Sequence, residues 1–230
     1  MFHLNSFAMT LKVDLQIGNG QRGEVFAAEH IRLLERAAEI LELVVNSTLF
    51  HKEVLNYQWK RRWQGWQTRF SHSDDSREEV LEKLMAGSDQ FTNRNSEDAN
   101  EPGDSDIDVW VHPYRVSGNV IGYTLRSHYK TFLNLHYLDN LIRNMGTGDA
   151  AAIELAENQL HEYMHNVGYE HRGNRRNRFN NAHSVPYALG DLVGKVAEKL
   201  LGNQGIPIAA HTDGDELEEE EWHWDESDIA

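Results

Sequence analysis

The sequence contains no cysteine. Disulfide staples and thiolate metal sites are therefore excluded, and any metal must be held by His, Asp or Glu. The absence fits a reducing compartment. No apolar run reaches the roughly 18–20 residues that a bilayer span requires. Residues Met1 to Thr10 have neither a basic start nor a sustained apolar stretch, so no secretory signal is expected and the expected location is cytoplasmic. Positive charge is also scarce, with 22 Lys or Arg against 37 Asp or Glu and a net charge of −15. Much of that excess lies at the end. Thr212 to Ala230 holds ten Asp or Glu and no Lys or Arg. The remainder is only mildly acidic, and nothing global points to a nucleic-acid binder.

What is present suits a folded chain. A length of 230 residues, 40% hydrophobic, with six Trp, is enough for one substantial core. We expect one domain over residues 1–210 and an acidic tail over 211–230, too polar to bury a core of its own.

Residues Thr10 to Gln16 alternate apolar and polar, the period of a half-buried strand. From Glu24 to about Asn46, Ala27, Ile31, Leu34, Ala38, Leu41 and Val45 step by three and four, which predicts a long amphipathic helix. A strand is expected around Phe50 to Trp59. A short helix is expected over Ser76 to Ala86, with Asp74 or Asp75 near its N-cap. Ser88 to Ser105 reads as a loop. Three strands follow, at Ile107 to Pro113, Asn119 to Arg126 and Thr131 to Tyr137, the first two linked by a turn at Val116 to Asn119. A helix is expected from Asp149 to Asn166, with Ile153, Ala156, Leu160, Met164 and Val167 as its stripe and Gly168 as its left-handed stop. A last helix spans about Ala188 to Leu201. The order implies an α+β fold: a mixed twisted sheet with a long N-terminal helix, a site-bearing helix and a C-terminal helix.

Residues 161–171 read His-Glu-Tyr-Met-His-Asn-Val-Gly-Tyr-Glu-His. His161 and His165 are four apart on a predicted helix, so both imidazoles point the same way. They lie one position round from Leu160 and Met164, at the edge of the core. Two neutral imidazoles on one face form most of a catalytic zinc site. Glu162 stands beside them as a general base rather than a ligand. A continuing helix would carry residue 171 away. Gly168 lets the chain turn, so that His171 can return as the third ligand and leave a fourth position open.

This stretch resembles the metzincin clan of zinc endopeptidases, whose pattern HExxHxxGxxH is matched by His161, Glu162, His165, Gly168 and His171. The resemblance implies Zn2+ on His161, His165 and His171, Glu162 as general base, and a zincin-like catalytic domain with an edge strand beside the cleft. The implied function is hydrolysis of peptide bonds in a peptide or protein substrate. A non-catalytic zinc-binding module and a zinc hydrolase acting on a non-peptide amide are the alternatives. The chain departs from the clan's pattern in one place. Metzincins carry a Met in a turn downstream of the third His, whereas Met here occurs only at 1, 9, 85, 145 and 164. Ser184-Val185-Pro186-Tyr187 stands where that turn is expected, with Val185 or Pro186 as its apolar floor. Tyr187 is a candidate donor to the developing oxyanion or a fifth ligand, against the alternative of a tyrosine packed under the site.

Other features carry less. Val120 to Arg126 is either the edge strand to which an extended substrate adds or an interior strand. Tyr57 to Phe70 mixes Trp59, Trp63 and Trp66 with Lys60, Arg61, Arg62 and Arg69, a pattern that can stack on single strands but reads better as packing and aromatic surface. Asp104, Asp106 and Asp108 alternate, yet lack the glycine and terminal Glu of a calcium loop. Arg172, Arg175, Arg176 and Arg178 complement the acidic Glu216 to Glu221, which raises the idea of a tail folding back on the cleft; a tail that only solubilises is the simpler reading.

Overall fold

Residues Lys12–Ile17 form β1, its register set by Val13 and Leu15 turning inward while Lys12 and Asp14 face solvent. The computed structural model describes residues 10–20, 22–61, 65–87, 106–117, 120–125, 130–171 and 181–202. The expected loop at 88–105, half of the turn at 116–119, the arginines at 172–178 and the acidic tail lie outside the described residues.

Helix α1 (Ala28–Val45) follows and buries Leu33, Leu34, Ala37, Ala38, Ile40, Leu41, Val44 and Val45 as one stripe. Its C-terminal end is pinned to β1 by polar side chains. The Asn46 amide accepts from Leu11 N–H at 2.8 Å and donates to Leu11 C=O at 2.7 Å, and Glu42 accepts from Val13 N–H at 3.0 Å. Asn46 thus does for the sheet's outermost strand what a neighbouring strand would do, satisfying backbone groups that otherwise need a partner.

Where a strand was expected at Phe50 to Trp59, the chain forms helix α2 (Thr48–Leu55). The Ser47 hydroxyl caps it by accepting from Phe50 N–H, and Phe50 and Val54, four apart, are its buried residues. Only Trp59 enters a strand. β2 (Trp59–Arg61) pairs antiparallel with β3 (Gly65–Gln67) in a separate two-stranded ribbon. Trp59 is buried and stacked on His183 at 4.5 Å, and Tyr57 stacks on Phe70 at 4.7 Å. Trp66 is 67% exposed. The aromatic segment therefore divides into packing and surface.

Helix α3 (Arg77–Met85) is capped by Ser76, not by Asp74 or Asp75. Ser76 Oγ accepts from Glu79 N–H and the Glu79 carboxylate accepts from Ser76 N–H, a reciprocal capping box. The main sheet continues with β4 (Asp106–Tyr114), β5 (Gly122–Leu125) and β6 (Lys130–Asn134). Its order is β1-β4-β6-β5, with β1, β4 and β6 parallel and β5 antiparallel to β6. Among the described residues β5 is therefore the terminal strand on that side. Asp106 and Asp108 lie within β4, paired with Lys12 and Asp14.

β6 stops at Asn134 rather than running to Tyr137. The buried Asn134 side chain accepts from His136 N–H and Val116 N–H and donates to Val120 C=O. It thereby opens helix α4 (Leu135–Met145), whose Leu135, Leu138 and Leu141 are buried at helical spacing. Helix α5 (Asp149–Asn166) and helix α6 (Val185–Gly202) follow among the described residues. α5 packs against α1, α6 and the inner face of the sheet. Gly190 and Gly194 bring α6 close to it: a Cβ on Gly190 would lie 3.0 Å from the Glu157 carbonyl oxygen. The architecture is α+β with a mixed four-stranded sheet. Among the described residues no helix is long and apolar enough to cross a membrane.

Candidate metal centre

The last turn of α5 carries the first two candidate ligands. Leu160 and Met164 are fully buried, while His161 and His165, each one position further round, are only partly covered. The helix then ends in a Schellman arrangement: Gly168 N–H bonds to His165 C=O and Tyr169 N–H to Met164 C=O, both at 3.0 Å. Gly168 has φ +104°, a conformation that side-chain-bearing residues adopt only under strain. The chain reverses there and returns His171 to the two helical histidines.

The three rings meet. Centroids of His161 and His165 are 4.9 Å apart, those of His165 and His171 4.9 Å, and those of His161 and His171 5.5 Å. One ring nitrogen from each lies within 4.8 Å of the others. This is the one group of three or more His, Asp or Glu among the described residues that could hold a metal ion. His161 Nε2 and His165 Nε2 are 3.2 Å apart. A tetrahedral zinc with Zn–N near 2.0–2.1 Å separates its ligand atoms by roughly 3.3–3.4 Å, so the spacing suits a shared ion.

Protonation also suits it. Burial, followed by the neighbouring His165 and His171, pushes the His161 pKa well below the ordinary imidazole value, which leaves the ring neutral and able to donate a lone pair. His165 Nδ1 lies 2.8 Å from the Tyr169 carbonyl oxygen. That carbonyl can only accept, so Nδ1 carries the hydrogen and Nε2 of the neutral ring presents its lone pair to the site. All three donors are imidazoles, a set suited to zinc and to other borderline transition metals such as copper, iron and nickel.

Glu162 is 5% exposed. A buried carboxylate needs hydrogen-bond donors, and Thr124 Oγ1 donates to Glu162 Oε2 at 2.6 Å. Thr124 is on β5, and its hydroxyl is 3.2 Å from that of Thr131 on β6. The pairings Thr124↔Thr131 and Tyr123↔Phe132 put the threonines on one face of the sheet and the aromatic pair on the other, as strand alternation requires. The terminal strand is thereby tied to the candidate base.

Tyr187 lies against the cluster, its ring 4.4 Å from that of His161 and 4.9 Å from that of His171. The segment expected as a turn, Ser184 to Tyr187, is instead the start of α6, which begins at Val185 rather than near Ala188. Val185 and Pro186 are buried in its first turn, where proline is tolerated because no helical N–H bond is required of it. His161, His165, His171 and Tyr187 thus fall in one neighbourhood, and Glu162 follows His161 in the same helix.

Two participants escaped sequence reading. Thr124 is revealed only by the pairing of β5 with β6, and Tyr169 acts through its backbone. The turn yields a prediction. Gly168→Ala should destabilise the fold by about 1–3 kcal/mol and weaken zinc binding as well, because it strains the reversal that returns His171. Thermal unfolding with and without zinc checks this; an unchanged zinc-induced rise in Tm would refute the link between the turn and the third ligand.

No protein-family model matches the chain, and neither the curated proteins nor the solved structures include a match to it.

Proposed function

We propose that this protein is a zinc-dependent peptidase with a zincin-like domain, in which His161, His165 and His171 hold the metal and Glu162 is the general base. The observation that carries the reading is the convergence of three imidazole donors within 4.8 Å; the buried Glu162 carboxylate, held by Thr124, follows His161 in the same helix. Zinc, when bound, supplies Lewis acidity that acidifies water and polarises a carbonyl. The chain supplies the rest. Glu162 takes the proton of the attacking water and delivers it to the leaving amine. Tyr187, whose ring lies against those of His161 and His171, is the candidate donor of a phenolic hydrogen to the developing oxyanion. An extended peptide substrate would add antiparallel to β5, the terminal strand of the sheet, through main-chain hydrogen bonds. The link from β5 to Glu162 favours such a strand-binding groove.

The test is zinc content per chain by elemental analysis, together with cleavage of a quenched fluorescent peptide mixture. Wild type is expected to carry one zinc and to cleave. His171→Ala is expected to bind zinc more than about 100-fold less tightly, since loss of an outer-shell partner alone costs about 10–100-fold. Wild type devoid of zinc after chelator-free purification, or equal affinity in His171→Ala, would refute the three-histidine site.

A further inference from the structure

We infer that Tyr169 and Asp75 are positioning residues of the metal centre, a latch that holds the Tyr169 carbonyl against His165. The inference rests on the metal-binding part of the proposed function and not on the hydrolytic part. His165 can offer Nε2 to a metal only while Nδ1–H has an acceptor, and that acceptor is the Tyr169 carbonyl at 2.8 Å. This carbonyl lies beyond the end of α5, just after the reversal at Gly168. The regular hydrogen bonding of the helix therefore does not orient it.

The Tyr169 side chain is what anchors that peptide from outside. The residue is 8% exposed, and its hydroxyl donates to Asp75 Oδ2 at 2.6 Å. The same carboxylate oxygen accepts from Lys83 Nζ at 2.7 Å, and Lys83 Nζ also lies 5.5 Å from the Tyr169 ring centroid. Lys83 and Tyr169 together hold the Asp75 carboxyl below the usual carboxylate range, so it remains an ionised, strong acceptor at neutral pH. Asp75 is itself placed by its own N–H bond to Ser73 Oγ and by the capped start of α3.

The neighbouring residues reinforce the frame. Ser71 N–H donates to His183 C=O at 2.8 Å, and Ser71 forms a parallel bridge with Ser184. Residues 71–75 therefore hold two segments of the site: the turn that follows His165 and the entry to α6, which carries Tyr187. The coupling spans 94 positions of sequence. A phenylalanine would fill the same space as Tyr169 but would lose the bond to Asp75, and with it part of the hold on the acceptor that sets the His165 ring.

The experiment uses the full chain and zinc alone as probe. Zinc affinity is measured by competition with a chromophoric chelator for wild type, Tyr169→Phe, Asp75→Asn and the double variant. Each single variant is expected to bind zinc about 3–30-fold less tightly, at or below the range for outer-shell partners. The double variant is expected to be within about twofold of the weaker single, because both changes remove one shared bond. In the zinc-loaded protein the His165 Nδ1–H proton resonance should shift and exchange faster in each variant, which loss of packing alone would not produce. Affinities within twofold of wild type with an unchanged His165 resonance would overturn the latch, as would fully additive losses in the double variant. Should Tyr169→Phe fail to fold, Asp75→Asn, at a side chain 26% exposed, decides the matter by the same readouts. Wild type without zinc would refute the centre and the latch together. Weakened zinc in the variants of a protein that cleaves no peptide would support the latch and remove only the peptidase reading.

Discussion

Glu162→Gln is expected to retain zinc at wild-type stoichiometry and affinity while losing about 100- to 10,000-fold in peptide hydrolysis, the usual contribution of a positioned general base. The substitution changes one property. Glutamine has the shape of glutamate, and its amide oxygen can still accept from Thr124 Oγ1, which now donates at 2.6 Å. A neutral amide is also easier to bury than a carboxylate, so a site that is only 5% exposed should accept it without unfolding. The amide cannot take a proton from water. Zinc content and hydrolysis are measured on the same samples, so that a loss of metal is not mistaken for a loss of base. Undiminished turnover in the variant would remove Glu162 from the mechanism. Zinc in both proteins and cleavage by neither would leave a non-catalytic zinc-binding module. Cleavage of small non-peptide amides but not of peptides would move the reading to the other alternative.

How much of this was legible in the sequence depends on whether a feature is local. The helix at Asp149–Asn166 and its stop at Gly168 could be read directly, because the apolar stripe, the histidine pair and the glycine all act within one or two turns. β1 and α1 were equally plain, since each buries a single periodic face. The helix at Thr48–Leu55 is not legible from periodicity because eight residues hold little of it; its informative marks are Phe50 and Val54 four apart behind a capping serine. The start of α4 carries the pattern of a strand because Leu133 and Leu135 preserve the alternation of β6, while the cap that ends it is the side chain of Asn134. Thr124 and the Tyr169 carbonyl were invisible for a different reason. Their roles arise from strand register and from a backbone plane, and neither leaves a residue type at a diagnostic spacing.

A second large effect is expected at Glu157, one helical turn before His161. Glu157→Gln should stabilise the metal-free protein at pH 9 by as much as about 5 kcal/mol and leave its stability at pH 4 nearly unchanged. The carboxyl of Glu157 is packed between α5 and α6, where only the absence of a side chain at Gly194 makes room: a Cβ there would lie 1.8 Å from Glu157 Oε1. Burial first, and then Asp191, Glu154 and Glu198, raise its pKa from 4.5 to about 8, with Lys195 opposing. The sign follows. Between pH 4.5 and 8 the folded protein keeps a proton that the unfolded chain has released, so stability falls as pH rises through this window, and the loss is complete above pH 8. Glutamine never ionises and removes that loss.

The acidic limb has the opposite origin. Burial lowers the pKa values of His112, His161 and His183 below 6.5. As pH falls through 6.5 the unfolded chain takes up protons that the folded one refuses, and stability drops again. Wild type should therefore be most stable near neutrality, with one limb set by histidines and the other by a single glutamate. Chelator is kept present throughout, because bound zinc would add its own pH dependence. Urea unfolding of both proteins from pH 4 to 9 makes the comparison. For a chain of this length each kcal/mol corresponds to roughly 2–4 °C in Tm, so thermal scans would resolve it as well. Parallel curves for wild type and Glu157→Gln across the alkaline limb would mean that Glu157 ionises without cost, and that the close approach of α5 and α6 at Gly194 does not exclude water from its carboxylate.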